Sequence, residues 1–271
     1  MSVFVTGSRG FLGGHVVARA SEVGHAVEVL KVNNMSIDCR EQLKKCQTLI
    51  HLAAAGVNSP SMCWHDLFAT NVLQSVALWN QAADCGVRRF VICGSCFEYG
   101  KTAERYVFVP VDAPLLPNTR YGVSKAAATL AATHFARERN VELVVLRLFH
   151  MYGDGEAQYR FFPALKAAAK SGADFPMTPG LQVRDFVPVE HAAKIVVDSV
   201  SRRDLVRGGP VIENVGTGCG ITLMEFAEHW WKRWGATGRL IPGAVPYRDH
   251  EVMRYVPYLK NEDRCFDPLH Q

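Results

Sequence analysis

The N-terminus of the chain combines a short apolar strand, a glycine-rich loop and a helix. Val3–Thr6 is a β-branched and aromatic run typical of a buried strand. Gly7, Gly10 and Gly13 follow it, and an apolar pattern with helical spacing continues through Val16. Glycines at such a junction allow a tight turn, and they let a pyrophosphate lie close to the N–H groups of a helix N-terminus. The spacing G-x-x-G-x-x-G in this context predicts a dinucleotide-binding loop.

Strands and helices alternate through the first half of the chain. Further predicted strands are His25–Leu30, Thr48–Ala53, Arg89–Cys93 and Val141–Leu148, and predicted helices include Asp66–Cys85 and Tyr121–Asn140. This alternation, with strands apolar on both faces, predicts an α/β fold with a Rossmann-type, doubly wound parallel sheet. Gly and Pro become dense after Tyr152. We therefore expect a dinucleotide-binding domain over 1–152, to which 183–215 returns, and a smaller substrate-binding region over 153–182 and 216–271.

Composition excludes several classes of partner. The formal net charge is +4, but no cluster of five or more Lys and Arg residues occurs, so we expect neither a nucleic-acid groove nor a membrane surface. No apolar run approaches the roughly 18–20 residues that span a bilayer. The N-terminal sequence lacks the features of a signal peptide. Eight cysteines are scattered without framework spacing, which indicates reduced thiols and a cytoplasmic location.

Two basic side chains bear on the choice of dinucleotide. Lys31 follows the second predicted strand, where an Asp or Glu would bind the ribose hydroxyls of NAD. Arg9 lies inside the glycine loop. Two cations suit the extra phosphate of NADP. NADP is the prediction, and NAD is the alternative if both side chains are merely solvated.

Tyr121 and Lys125 lie four residues apart on a predicted helix, so they share one face. A tyrosine with an ordinary pKa of about 10 releases its proton more readily beside a cation. The spacing therefore predicts a phenol that exchanges protons near neutral pH. Taken alone, the spacing is equally typical of an exposed structural pair.

The stretch Cys93–Gly100, "CGSCFEYG", contains a Cys-x-x-Cys pair. Redox chemistry requires an exposed cysteine with a lowered pKa. Cys93 instead ends an apolar strand, and we expect it to be buried and inert. A zinc site lacks its second Cys/His pair at suitable spacing. We therefore expect neither thiol chemistry nor a metal site here.

Six segments together carry a family resemblance. "TGSRGFLG", "HLAAAGV", "GSCFEYG", "YGVSK", "RLFHMYGDG" and "RDFVPVEH" occur in this order over nearly the whole chain. The chain resembles the extended short-chain dehydrogenase/reductases, in particular the nucleotide-sugar epimerases, dehydratases and reductases. The resemblance implies a nucleotide-diphosphate sugar as substrate. By fold-level analogy it also implies a homodimer formed through Asp66–Cys85 and Tyr121–Asn140.

The resemblance assigns roles to individual residues. Tyr121 is the implied acid/base, Lys125 its partner, and Ser95, five residues before Gly100, binds the substrate oxygen. Asp38 lies near the adenine, and Asn71 supports the active-site helix. Together with Tyr121 and Lys125, the expected cofactor contacts are Gly7, Arg9, Gly10, Phe11, Leu12, Gly13, Lys31, Asp38, Leu52, Ala53, Ala54 and Asn71. The expected substrate contacts are Ser95, Cys96, Phe97, His150, Arg184 and Arg248, with the two arginines on the diphosphate.

Departures from the family pattern narrow the reaction. Cys96 and Phe97 occupy the places of the Asp-Glu pair that sugar 4,6-dehydratases use for water loss, so we exclude a dehydratase. His150 replaces an Asn and Asp154 a Pro; His150 is either a substrate contact or a strand-end histidine. The cations favour exchangeable NADPH. The prediction is an NADPH-dependent reductase of a nucleotide-linked 4-keto-6-deoxy sugar; a nucleotide-sugar 4-epimerase with bound NAD and a non-catalytic NADP-binding sensor are alternatives.

Overall fold

The computed structural model describes residues 1–30, 39–57 and 61–260. Its strands are β1 (Ser2–Thr6), β2 (Ala26–Leu30), β3 (Thr48–His51), β4 (Arg89–Ser95), β5 (Glu142–Leu148), β6 (His150–Tyr152), β7 (Phe175–Met177), β8 (Val183–Pro188), β9 (Val211–Val215), β10 (Gly220–Thr222), β11 (Leu240–Pro242) and β12 (Arg254–Tyr255). Its α-helices are α1 (Phe11–Glu22), α2 (Arg40–Leu43), α3 (Trp64–Phe68), α4 (Ser75–Asp84), α5 (Arg120–Arg139), α6 (Phe161–Ser171), α7 (Val189–Asp198) and α8 (Leu223–Arg233).

Six parallel strands form the central sheet in the order β2-β1-β3-β4-β5-β9. The order reverses at β1, because β2 pairs with one edge of β1 and β3 with the other. In doubly wound sheets, ligands bind beyond the carboxyl ends of the strands at such a switch point. The glycine loop after β1 and the segment after β3 therefore face each other across a crevice. The predicted fold class is confirmed.

Alternate residues of each strand pack against helices on opposite faces of the sheet. Val91 of β4 belongs to a core that it shares with α1 and α7, whereas Phe90 belongs to a core that it shares with α4 and α5. Both side chains are fully buried. Since each such side chain stabilises the fold by about 1.5–3 kcal/mol, the two cores hold the sheet rigid beneath the crevice.

The remaining strands form two smaller sheets. β8 lies between β10 and β12 and also pairs with β6, and β7 pairs with β11. Helices α6 and α8 pack around a third core, rich in aromatic residues. Within the segment 183–215, β9 joins the central sheet and α7 packs on α1, whereas β8 belongs to the second sheet. The division into two domains stays a prediction.

The long helix predicted over Asp66–Cys85 is interrupted. α3 and α4 are joined by a π-helical segment, Ala69–Gln74. One extra residue per turn shifts the side chains that follow, and such segments occur often at functional sites. The spacing of apolar residues does not reveal it, because α- and π-helical turns bury similar positions. In the part of the chain that the structure describes, no helix has the length and apolarity to cross a membrane.

Candidate active site

The glycine loop packs directly on its neighbours. Gly7 has a φ of +70°, and a Cβ on it would lie 2.7 Å from the backbone nitrogen of Ala53. A Cβ on Gly13 would lie 2.1 Å from the carbonyl oxygen of Gly7. α1 begins after Gly10, whose position carries no side-chain cap, so the first N–H groups of the helix are not used by a capping side chain. A narrow cradle of backbone N–H groups fits a dinucleotide pyrophosphate.

The end of β3 is fixed to the end of β1 by one hydroxyl. Thr6 Oγ1 accepts hydrogen bonds from the backbone N–H groups of Leu52 and Ala53, both at 3.2 Å. The same hydroxyl pairs with His51 Nδ1 at 2.9 Å, and His51 Nε2 pairs with Ser75 Oγ at 3.0 Å. Burial, reinforced by the charge of Lys125, lowers the pKa of His51 to about 3. His51, which the sequence did not single out, is therefore a neutral imidazole that links Thr6 to Ser75.

Asn71, in the π-helical segment, ties the crevice to α5. Its Oδ1 accepts from the N–H of Ala55 at 2.7 Å, and its Nδ2 donates to the Ala55 carbonyl at 3.1 Å and to Ser124 Oγ at 2.9 Å. Ser124 in turn donates to the carbonyl oxygen of Tyr121 at 2.8 Å. Asn71 thus links the segment after β3 to α5, and its supporting role in the active site stays a prediction.

The other expected cofactor residues have mixed placements. Arg9 is exposed at the loop, and Phe11 is half-buried with its ring 6.0 Å from that of His15. Leu12 is buried in the core, so it can meet a cofactor only through its backbone. Ala54 lies half-buried after β3. Lys31 and Asp38 lie outside the described residues.

Ser95, Tyr121 and Lys125 come together where β4 meets α5. Thr119 caps α5 by accepting from the N–H of Gly122 at 3.0 Å, which fixes the first turn, where Tyr121 lies. Ser95, at the end of β4, is close enough to Tyr121 that its side chain lowers the pKa of the phenol. Lys125 is buried and its Nζ donates to the carbonyl oxygen of Cys93 at 2.7 Å.

Burial controls the protonation of this group. It raises the pKa of Tyr121, and the hydrogen bond with Ser95 opposes the shift only in part. Burial likewise lowers the pKa of Lys125, while Glu98 and Cys93 oppose it. The expected lowering of the tyrosine pKa by Lys125 is therefore wrong, because desolvation outweighs what favours the phenolate. The phenol keeps its proton at neutral pH.

Buried polar groups fix the position of Ser95 through hydrogen bonds. Ser95 Oγ accepts from the N–H of Phe97 at 3.3 Å, and Glu98 Oε1 accepts from the N–H of Ser95 at 2.8 Å. Arg147 Nε donates to Glu98 Oε2 at 2.8 Å and Arg147 also donates to the Tyr99 hydroxyl at 3.0 Å. The sequence reasoning missed this network, although Ser-x-x-Glu is the signal of a capping box.

Aromatic groups and a thiol line the side of the site opposite α5. The Phe97 ring lies 6.1 Å from Tyr121, 5.6 Å from His150 and 5.7 Å from Tyr255. Cys96 Sγ lies 4.0 Å from His150 Nδ1. Burial raises the pKa of Cys96 to about 12 and lowers that of His150, which Arg184 and Arg160 lower further. This wall is uncharged, and His150 is a neutral member of it.

Tyr255 was not found from the sequence, because it comes from a two-residue strand far along the chain. Its side chain is 2% exposed, and its hydroxyl has no hydrogen-bond partner among the described residues. Burial raises its pKa. A phenol in this state offers an unused donor beside Phe97 and His150.

The two predicted diphosphate arginines differ. Arg184 is buried, donates to the Glu251 carboxylate and to the Val183 carbonyl at 2.9 Å, and lies 5.4 Å from the centre of the Tyr255 ring. Arg248 is exposed, and its carbonyl oxygen accepts from the N–H of Glu251 at 2.9 Å. Arg184 is thus paired with the Glu251 carboxylate, with which a diphosphate has to compete, whereas Arg248 meets Glu251 through its backbone.

The thiol expectation agrees with the geometry at Cys93. Its side chain is buried, and burial raises its pKa to about 12. A thiolate, which is the reactive form, is therefore disfavoured in the Cys-x-x-Cys pair.

Known proteins with similar sequences act on nucleotide sugars. UDP-glucose 4-epimerase of Corynebacterium glutamicum is 25% identical over 289 residues, which span 92% of this chain and 84% of that protein. The dTDP-6-deoxy-L-talose 4-dehydrogenase (NAD(+)) of Aggregatibacter actinomycetemcomitans is 27% identical over 217 residues, or 70% of this chain and 76% of that protein.

Solved structures share the fold. MoeE5 in complex with UDP-glucuronic acid and NAD superposes with a TM-score of 0.85 at 25% identity, covering 97% of this chain and 91% of that chain. The family model described as NAD dependent epimerase/dehydratase matches residues 3–216. With the glycine cradle and the Ser95–Tyr121–Lys125 group in place, the chain belongs to the NAD dependent epimerase/dehydratase family, as an NAD(P)-dependent enzyme of the extended short-chain dehydrogenase/reductase type.

Proposed function

We propose that the protein reduces a nucleotide-linked 4-keto-6-deoxy sugar at C4, with NADPH as the reductant. The observation that carries this proposal is the grouping of Ser95, Tyr121 and Lys125 where β4 meets α5, with Lys125 Nζ held by the Cys93 carbonyl at 2.7 Å and the proton kept on the phenol by burial. Reduction of a ketone requires both a hydride and a proton. A site that stores the proton on Tyr121 suits the direction of reduction.

The bound cofactor supplies the hydride. Tyr121 donates its phenolic proton to the ketone oxygen, and Ser95 Oγ donates a hydrogen bond to the same oxygen. Lys125, oriented by the Cys93 carbonyl, stabilises the phenolate left on Tyr121 and binds the nicotinamide ribose. Hydride on C4 and proton on oxygen together yield the alcohol, and Tyr121 then regains a proton from solvent.

The uncharged wall supports reduction over elimination of water. Cys96 and Phe97 offer no carboxylate, and the nearby Glu98 has both oxygens occupied by Ser95 and Arg147. The dTDP-6-deoxy-L-talose 4-dehydrogenase relative, by its name, works at C4 of a 6-deoxy sugar, which supports the proposed position of the reaction.

Arg184 and Arg248 are proposed to bind the diphosphate. Guanidinium groups pair bidentately with phosphate oxygens. For Arg184 this requires release of the Glu251 carboxylate, because the two side chains are hydrogen-bonded to each other.

NADP as the preferred cofactor rests on Arg9 and Lys31, and NAD is the alternative. The names of the similar proteins mention NAD, so the choice needs a direct test. Comparing kcat/KM for NADPH and NADH in the wild type and in Arg9→Gln and Lys31→Asp variants decides it. The proposal predicts a preference for NADPH that each substitution reduces; a wild type that prefers NADH refutes it.

A nucleotide-sugar 4-epimerase with tightly bound NAD is the second candidate. It is favoured by the Corynebacterium glutamicum epimerase, whose similarity spans 92% of this chain. An epimerase oxidises and then reduces the same carbon, so it consumes no cofactor. Protein that is purified with NAD bound, and that interconverts UDP-sugars without added NADPH, supports this candidate over the reductase.

We also propose a homodimer through the outer faces of the π-helical segment and α5. Leu73 and Leu130 are 62% and 64% exposed there, and a second subunit packed on this face would cover both. Light scattering of the wild type and of a Leu73→Glu/Leu130→Glu variant tests this. The proposal predicts a dimer that the variant dissociates, and a monomeric wild type contradicts it.

The central experiment is a substrate screen. NADPH consumption is measured with 4-keto-6-deoxy sugars on dTDP, CDP, GDP and UDP, and the C4 configuration of the product is then determined. Tyr121→Phe is the matched control, since it removes one hydroxyl from the site. The proposal predicts turnover with at least one nucleotide and its near-complete loss in the variant.

A further inference from the structure

We propose that Glu98 is a positioning residue, which aims Ser95 at the substrate oxygen by holding the backbone of Ser95 in place. The inference rests on the proposed function, because Ser95 is taken to bind that oxygen. Glu98 makes hydrogen bonds with Ser95 and Arg147, and its charge also raises the pKa values of Lys125 and Tyr121. Its proposed effect on turnover passes through Ser95.

The contacts of Glu98 divide between two donors. One carboxylate oxygen, Oε1, accepts from the backbone N–H of Ser95 at 2.8 Å. The other, Oε2, accepts from Arg147 Nε at 2.8 Å. Glu98 is 0% exposed and Arg147 is 4% exposed, so neither donor can exchange its partner for water. The carboxylate therefore couples the end of β4 to the carboxyl end of β5.

Arg147 is itself anchored on a second set of groups. It donates to the Tyr99 hydroxyl at 3.0 Å and to the Val111 carbonyl at 2.9 Å. The Tyr99 hydroxyl donates to Asn214 Oδ1 at 2.6 Å. Since Asn214 belongs to β9, the network spans three adjacent strands. Glu98 is thus fixed by groups of the central sheet.

Only a glutamate satisfies both donors. Glutamine has one acceptor oxygen and one donor group, so either Ser95 N–H or Arg147 Nε–H would face another donor. Aspartate is one methylene shorter and cannot span the same pair. The arrangement therefore requires a side chain with two acceptor oxygens at this length, which is glutamate at position 98.

The consequence for Ser95 is geometric. Its Oγ already accepts from Phe97 N–H at 3.3 Å, and its side chain lowers the pKa of Tyr121. Without an acceptor for its N–H, the turn that follows β4 loses one of its two cap bonds. A displacement of about 1 Å in a group that orients a reacting atom lowers turnover by as much as a hundredfold.

The test uses a matched set of variants. Glu98→Met and Arg147→Met each break the same buried ion pair and are expected to lower Tm by similar amounts. The double variant, Glu98→Met/Arg147→Met, replaces the pair by apolar groups, which often restores stability. Glu98→Gln keeps one acceptor and is the conservative rescue. Each protein is assayed for Tm, for the Kd of NADPH, and for kcat and KM.

We expect the loss of kcat to follow residue 98 and not stability. The double variant should regain Tm and retain the wild-type Kd for NADPH, yet keep a kcat about tenfold to a hundredfold below the wild type. Arg147→Met should lose less than threefold, and Glu98→Gln should recover part of the activity. A double variant with both Tm and kcat restored overturns the proposal.

Turnover by the wild type tests the proposed function, and the position of Ser95 in the double variant tests the role of Glu98. If the wild type turns over no nucleotide sugar, the reductase proposal fails, and the role of Glu98 is then judged from the crystal structure of the double variant. A Ser95 Oγ in the same place relative to Tyr121 as in the wild type refutes the positioning role. A Ser95 displaced from Tyr121 supports it.

Discussion

Replacing Gly13 by alanine tests the glycine cradle at atomic precision. The added Cβ would lie 2.1 Å from the Gly7 carbonyl oxygen, whereas a carbon and a carbonyl oxygen need roughly 3.3 Å. The methyl group is therefore about 1.2 Å too close, and backbone cannot yield as a side chain does. α1 must move away from the loop, at a cost of about 1–3 kcal/mol.

Gly14 supplies the matched control. A Cβ there meets no atom within 4 Å, and the residue lies in the same helix turn. Alanine at this position improves helix propensity by about 0.5–1 kcal/mol. We expect Gly14→Ala to raise Tm slightly and to leave dinucleotide binding unchanged.

The assay combines thermal unfolding with calorimetric titration of NADPH and NADH. For a domain of this size, Gly13→Ala should lower Tm by several degrees, at about 2–4 °C per kcal/mol. Its affinity for both dinucleotides should fall at least tenfold, because the helix N–H groups no longer reach the pyrophosphate. Wild-type affinity in a folded Gly13→Ala protein would refute the assignment of the cradle.

Three further predictions follow from burial and charge. The pKa of His51 is about 3 in the folded protein and that of an unfolded histidine is 6.5, so the unfolded state binds more protons. The free energy of unfolding, measured in urea, should therefore be greatest above pH 6.5 and fall by about 2 kcal/mol by pH 5. The fall should be smaller in His51→Gln. An equally large pH-dependent loss of unfolding free energy in the variant contradicts this prediction. Cys93 and Cys96 are buried and have pKa values of about 12, so they should resist thiol reagents that label the exposed Cys63 in native protein. Mass spectrometric mapping of the labelled sites checks this, and rapid labelling of Cys93 or Cys96 argues against burial. Arg184→Gln should raise KM for the nucleotide sugar at least tenfold while the Kd of NADPH stays unchanged, since a charge-assisted hydrogen bond contributes about 1.5–3 kcal/mol; an unchanged KM removes Arg184 from the diphosphate site.

Local patterns predicted the parts of the fold that depend on local chemistry. The strand, glycine loop and helix at the N-terminus follow from backbone sterics at Gly7 and Gly13, and the sheet follows from apolar strands alternating with helices. Local patterns did not predict the π-helical segment around Asn71, because one inserted residue leaves the apolar pattern nearly unchanged.

The electrostatics of the site depended on tertiary structure. The spacing of Tyr121 and Lys125 correctly placed them near each other, but the sign of the tyrosine pKa shift was wrong, since desolvation is set by every element that covers the site. Tyr255 and Glu251 were missed for the same reason: they reach the site from a distant segment, and only the pairing of β12 with β8 brings them there.

The most direct test of the proposed chemistry follows the hydride. NADPH carrying deuterium at C4 of its nicotinamide ring is incubated with the 4-keto-6-deoxy sugar that the screen identifies, using the wild type and Tyr121→Phe. The account predicts one deuterium at C4 of the sugar product, equimolar loss of NADPH, and near-complete loss of both in the folded, NADPH-binding variant. Turnover by Tyr121→Phe at the wild-type rate, or a product without deuterium at C4, would contradict it.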